Sequence, residues 1–167
     1  NGSFLTINDM IFSQTCSLGQ GAFGQVCSYN NGDIHLAKKT IIQPSEELNN
    51  NKTASILLKE TPHKKKYVIP FIYHVNLVLM PVIIPLDKFM KKYTPSFKTK
   101  LMILQQVIYN LYKLSDGDNK LYFTDLKQAN IGIMKYSSNI IRCYLIDLGS
   151  LNNNRGRIIR PRFVQQH

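Results

Sequence analysis

Phe123-Thr124-Asp125-Leu126-Lys127-Gln128-Ala129-Asn130 sets a carboxylate, an ammonium two residues later and a carboxamide five residues after the carboxylate. Downstream, the apolar run Tyr144-Leu145-Ile146 leads into Asp147-Leu148-Gly149. A carboxylate placed at the end of a strand is the ligand that a hard cation bridging phosphates requires. Upstream lies Gly19-Gln20-Gly21-Ala22-Phe23-Gly24-Gln25-Val26. Triphosphate oxygens need backbone N–H groups at close range, and side chains at positions 19, 21 and 24 would hold the backbone away. Each segment has a plainer reading on its own: Asp125 as a helix cap, Asp147 in a bare turn, the glycines as an ordinary turn or a dinucleotide fingerprint. The glycine stretch joins two strands instead of opening a helix, which disfavours the fingerprint.

With Ala37-Lys38-Lys39 between them, these segments stand in the order found in protein kinases, and from about Leu18 to Ser150 the chain resembles that superfamily. The resemblance implies an α+β, two-lobed, protein-kinase-like fold with a small β-rich N-lobe and a truncated, mainly helical C-lobe. It implies ATP and Mg²⁺ as cofactors. Asp125 would orient and deprotonate a hydroxyl, Lys127 would stabilise the transferring phosphoryl group, and Asn130 and Asp147 would hold the metal. Gly19, Gly21, Gly24 and Val26 would cover the nucleotide, with Phe23 at the loop tip. Strand alternation puts Ala37 and Lys39 on one face, against adenine and phosphates, and turns Lys38 away. Met80 would be the gatekeeper, the Pro81 carbonyl the acceptor for the adenine amino group and the Ile83 N–H the donor to the ring. The glutamate that should hold Lys39 is open between Glu46 and Glu60, with Glu60 close to Pro62 and Thr53 at the usual register. Phe123 and Thr124 replace the family's His and Arg, and loss of the Arg implies activity that does not wait for activation-loop phosphorylation.

The local pattern agrees with this organisation: residues 1–80 as N-lobe, 81–85 as hinge and 86–167 as reduced C-lobe, one minimal domain. Residues 4–80 read as five short strands and one helix. Asn30-Asn31-Gly32-Asp33 signals a hairpin between strands at 25–29 and 34–40. Ser45 caps a helix that begins at Glu46-Glu47 and ends at Thr61-Pro62. Tyr67–Tyr73 and Asn76–Met80 read as strands, and the prolines of Met80-Pro81-Val82-Ile83-Ile84-Pro85 as a stiff extended link. Beyond it come a short helix at 86–93 and a long one at 98–114, where Leu101, Leu104, Ile108 and Leu111 recur at helical spacing. Strands at 131–135 and 142–146 flank a turn at 136–139.

The 167 residues are 44% hydrophobic and carry a formal charge of +11. That is one domain with material for a core and a basic surface attractive to anions, though scattered lysines also simply solvate a surface. No nucleic-acid motif is present and no stretch is apolar enough to span a bilayer. Cys16, Cys27 and Cys143 have no zinc spacing, and His35, His63, His74 and His167 no ligand spacing, so free thiols in a reducing compartment are expected. A soluble, cytoplasmic monomer is expected. Only 18 residues come after Gly149, which implies a kinase of minimal size or a fragment of one. In that economy the chain is similar to the small kinases that pathogenic bacteria deliver into host cells and to reduced viral kinases. The similarity implies phosphorylation of a Ser/Thr in a host protein, such as a chaperone or ubiquitin-pathway component, from within the host cytosol. The competing readings are a pseudokinase or kinase-fold binding module that acts through its basic surface, and a small-molecule phosphotransferase, which Lys127 disfavours. Arg155, Arg157, Arg160 and Arg162 read as a solvated tail or as a means of recruiting an acidic partner or a phosphorylated substrate.

Overall fold

The computed structural model describes residues 4–21, 24–32, 34–135 and 140–154. Phe23, the turn at 136–139, His167 and the four arginines after Asn154 lie outside them. The chain divides into two compact units, Asn1–Asn49 with Pro70–Val82 and Asn50–Ile69 with Ile83–His167. Residues 50–69, expected with the N-terminal half, therefore cluster with the C-terminal one.

The first unit is an antiparallel sheet of β1 (Phe4–Ile7), β2 (Met10–Gly21), β3 (Gly24–Asn31), β4 (Ile34–Ile41), β5 (Ile72–His74) and β6 (Leu77–Pro81). Their order across the sheet is β1-β2-β3-β4-β6-β5. Six strands stand where five were expected. The extra hairpin, β1–β2, turns on Asn8 and Asp9, both at positive φ, a conformation that Asn and Asp tolerate. The strand expected over 67–73 is shorter and displaced, because Pro62–Tyr67 forms a 3-10 helix and Val68 makes only an isolated bridge to Leu145. An apolar run interrupted by Pro70 carries no period that separates these outcomes. One face of the sheet buries Phe12, Cys27 and Tyr29, with Leu5, Ile7 and Leu36 packed against them.

Helix α1 (Glu46–Glu60) begins in the first unit and continues in the second. Its start is fixed by Ser45, whose Oγ accepts the Leu48 N–H at 3.0 Å, a cap worth about 1 kcal/mol. Glu60 is its last residue, so the nearby Pro62 does not exclude it from the helix.

The second unit holds β7 (Ile84–Pro85), α2 (Leu86–Tyr93), α3 (Phe97–Ser115), β8 (Tyr122–Phe123), β9 (Ile131–Lys135), β10 (Ile141–Leu145) and β11 (Leu151–Asn152). The extended link is partly strand, since β7 pairs with β9 through Ile84–Ile133 and Pro85–Gly132. At Gly132 a Cβ would lie 1.8 Å from Ile83 Cδ1, so the glycine leaves room for that side chain. Helix α3 starts at Ser96, whose Oγ accepts the Thr99 N–H at 3.3 Å. Its buried side chains are Ile103, Val107 and Leu114. The Leu101, Leu104 and Ile108 stripe faces outward, each about half exposed. The amides of Gln106 and Asn110 bond Ile141 O, Cys143 N and Cys143 O, which occupies the backbone groups of β10 that another strand would need.

Lys64 is 3% exposed although it begins a run of three lysines. Its ammonium donates to the carbonyls of Leu114 at 2.7 Å, Asp116 at 2.8 Å and Asn119, and so closes the C-terminal end of α3. Burial lowers its pKa and Asp116 opposes the shift. Among the described residues no helix is long and apolar enough to cross a membrane.

Candidate functional site

The candidate residues fall into two groups, one in each unit. In the first unit, antiparallel register decides which side chains share a face, since directly paired residues point the same way. Val26 pairs with Lys39, and Ala37 pairs with Met80. Ala37 and Lys39 are two apart on β4, so these four side chains project from one face of the sheet. Gly19 pairs with Val26 and Gly24 with Ile41, which brings two of the glycines into the same set. Lys38 goes to the other face, where its ammonium lies 4.8 Å from the Tyr29 ring centroid. The alternation thus separates the two lysines as their spacing requires.

Lys39 Nζ meets Glu47 Oε1 at 2.7 Å. The partner is therefore neither Glu46 nor Glu60, nor is Thr53 at its position. The reason lies in how α1 begins. Ser45 fixes the first turn, where Glu46 and Glu47 point about 100° apart, and it is Glu47 that faces β4. Sequence reasoning recognised those acids as a helix start but judged the pairing by the family's spacing. The pair is largely screened from water, with 23% and 13% of the two side chains exposed.

The glycines are not equivalent. At Gly24, with φ of +146°, a Cβ would lie 1.9 Å from Thr40 O, so the close approach of β4 dictates glycine. At Gly19 a Cβ would meet nothing within 4 Å. The fold explains the first glycine and leaves the second unexplained.

In the second unit the 123–130 stretch folds as a compact loop ending in a 3-10 turn at Gln128–Asn130. Phe123 is buried and anchors the loop by pairing with Leu151. Thr124 donates from both N and Oγ1 to Ser150 O, at 2.7 and 2.9 Å. Thr124 thereby ties this loop to the residues that follow Asp147-Leu148-Gly149. Asn130 Nδ2 donates to Asp125 O at 2.9 Å and Asp125 Oδ2 at 3.3 Å, and Lys127 Nζ lies 3.2 Å from the same Oδ2. Ile146 N donates to Asn130 O at 3.0 Å, so the residue before Asp147 is fastened directly to Asn130. Ser150 Oγ donates to Asp147 Oδ2 at 2.7 Å.

This arrangement gathers Asp125, Lys127, Asn130 and Asp147 through backbone and side-chain bonds. With its amide nitrogen turned to Asp125, Asn130 directs its oxygen elsewhere, and Asp147 keeps one oxygen beyond the Ser150 bond. Two hard oxygen donors fit Mg²⁺, which takes one or two protein ligands and completes its shell with phosphate and water. Among the described residues no group of three or more His, Cys, Asp or Glu could hold a metal by itself.

Asp87 was not singled out from the sequence. Its Oδ1 is buried without a hydrogen-bond partner among the described residues. An acid in the first turn of α2 reads from sequence as a helix-start residue and nothing more. Met80 and Pro81 sit in β6, opposite Ala37 and Leu36, and the Ile83 side chain packs at Gly132.

The chain matches no protein-family model and no curated protein sequence.

Proposed function

We propose that this protein is an ATP- and Mg²⁺-dependent protein kinase that transfers the γ-phosphoryl group of ATP to a Ser or Thr hydroxyl. The observation that carries the reading is the bonded set Asp125, Lys127 and Asn130, fastened through Ile146 to Asp147. These groups are what phosphoryl transfer asks for, a base beside a cation beside hard metal ligands. In support, Lys39 has its own carboxylate in Glu47, and Val26, Ala37 and Met80 share its face of the sheet.

In this reading Asp125 orients the acceptor hydroxyl and takes its proton as the oxygen attacks the γ-phosphorus. The bond between that phosphorus and the β–γ bridging oxygen breaks, and ADP leaves. Lys127, held 3.2 Å from Asp125, offsets charge on the moving group. Lys39 binds phosphate oxygens, and its pair with Glu47 fixes its position. Asn130 and Asp147 would hold Mg²⁺, which when bound would supply positive charge against the phosphates.

Lys127 also favours a protein over a small molecule as acceptor, because the kinases that the loop resembles place Lys there. A host protein within the host cytosol belongs to the same proposal. Titration of Mg²⁺ and ATP into the protein and into Asp147→Ala tests it. Saturable, Mg²⁺-dependent binding that the variant loses, with its circular dichroism unchanged, is the expected result. Equal binding by the variant would remove Asp147 from the site.

A further inference from the structure

Helix α3 carries two apolar faces where a surface helix needs one. Ile103, Val107 and Leu114 are buried. The second face runs through Phe97, Leu101, Leu104, Ile108 and Leu111, spaced four, three, four and three residues apart. That is the spacing of a seam that receives another helix. Phe97 is 76% exposed, Leu101 49%, Leu104 54% and Ile108 56%, a continuous stripe too large to leave without a role. Beside it, Leu86 and Met90 of α2, together with Leu126 and Ile131, form the floor and far wall of an apolar groove. The groove shares Ile108 and Leu111 with a second hollow of about 540 Å³ that continues to Lys120, Tyr122 and Phe123. All of these residues belong to one unit.

The charges around the groove decide what fits it. Helices α2 and α3 carry Lys88, Lys91, Lys92, Lys98, Lys100 and Lys113, and their one acid is Asp87. Lys100 lines the groove itself. The nearest acids in sequence after α3, Asp116 and Asp118, lie past its C-terminal end. A second copy would bring lysines against lysines whether the helices ran parallel or antiparallel, and like charges along a seam oppose pairing.

We infer that the α2–α3 groove docks an acidic amphipathic helix of a partner protein, whose apolar residues enter between Leu104, Ile108 and Met90 while its carboxylates meet the flanking lysines. The inference does not depend on phosphoryl transfer, because none of these residues is assigned to it.

The test uses a fluorescein-labelled synthetic 18-residue peptide with Leu at alternating four- and three-residue spacing and Glu on its other faces. Two further peptides serve as comparisons, one with Lys in place of Glu and one with the acidic composition scrambled. The acidic helix is expected to bind the full chain in the micromolar range, more weakly as salt rises, and roughly tenfold or more weakly to Leu104→Glu and to Ile108→Glu. Both positions are exposed, so the variants keep the wild-type circular dichroism. The inference is overturned if the acidic and scrambled peptides bind alike, if the lysine peptide binds as well, or if neither variant weakens binding. It is also overturned if the protein alone sediments as a dimer that Leu104→Glu converts to monomer, which would give the face to a second copy.

Discussion

Replacing Lys64 by Met tests how the C-terminal end of α3 is held. Methionine keeps nearly the same length and apolar stem and removes only the ammonium and its three bonds. A buried charged group stripped of its partner typically costs about 3–5 kcal/mol. Here the loss is smaller, because the carbonyls left behind are not equally stranded. Leu114 O still accepts from Leu121 N at 2.9 Å, whereas Asp116 and Asn119 belong to exposed residues whose carbonyls water can reach. Removing the ammonium also ends its own desolvation cost. What remains is about 2–3 kcal/mol, the loss of charge-assisted bonds worth roughly 1.5–3 kcal/mol each, reduced by that relief and by the partners the carbonyls keep. Urea unfolding followed by circular dichroism measures it as a lower midpoint at unchanged slope. A change under about 0.5 kcal/mol would refute the reasoning, and so would equal destabilisation by Lys65→Met, since Lys65 is exposed.

Gly24→Ala should destabilise the sheet by about 2 kcal/mol or more, because the added methyl collides with Thr40 O, whereas Gly19→Ala should leave urea stability unchanged and weaken ATP binding. Equal stability losses at the two positions would contradict the distinction. Glu47→Gln should lower phosphoryl transfer roughly tenfold or more by freeing Lys39, while Glu46→Gln and Glu60→Gln stay near wild type under the same steady-state assay. Burial pushes the Cys143 thiol from 9.0 up to about 12. The folded chain therefore holds that proton longer than the unfolded one, and stability falls as pH rises from about 9 towards 12. Iodoacetamide at pH 8, read by peptide mass spectrometry, should leave Cys143 unmodified until urea unfolds the protein.

Features fixed by neighbouring residues were readable in advance. The turn at Asn31-Gly32, the Ser45 cap and the separation of Lys38 from Lys39 follow from local geometry. The 4-3 seam on α3 was visible too, but a repeat does not say which of two apolar faces meets the core, and here the core took Ile103, Val107 and Leu114. Lys64 reads as one of three solvated lysines, yet the 3-10 turn at Pro62–Tyr67 carries it inward to carbonyls some fifty residues away. The same long-range character hid Glu47. Which acid of a helix start reaches a strand is settled by the angle at which the helix leaves that strand. Asp125, Lys127, Asn130 and Asp147 were named because their order and spacing resemble those of protein kinases. Thr124, first read only as a lost arginine, emerged as the tie to Ser150 because a hydroxyl bond across 26 residues leaves no mark in sequence.

The central claim is phosphoryl transfer. Incubation of the purified protein with γ-labelled ATP, Mg²⁺ and a eukaryotic cell lysate, beside Asp125→Asn, tests it most directly. The account predicts label on serine or threonine of a lysate protein that the variant fails to produce; no transfer by wild type, with ATP still bound, would contradict it and leave a nucleotide-binding module.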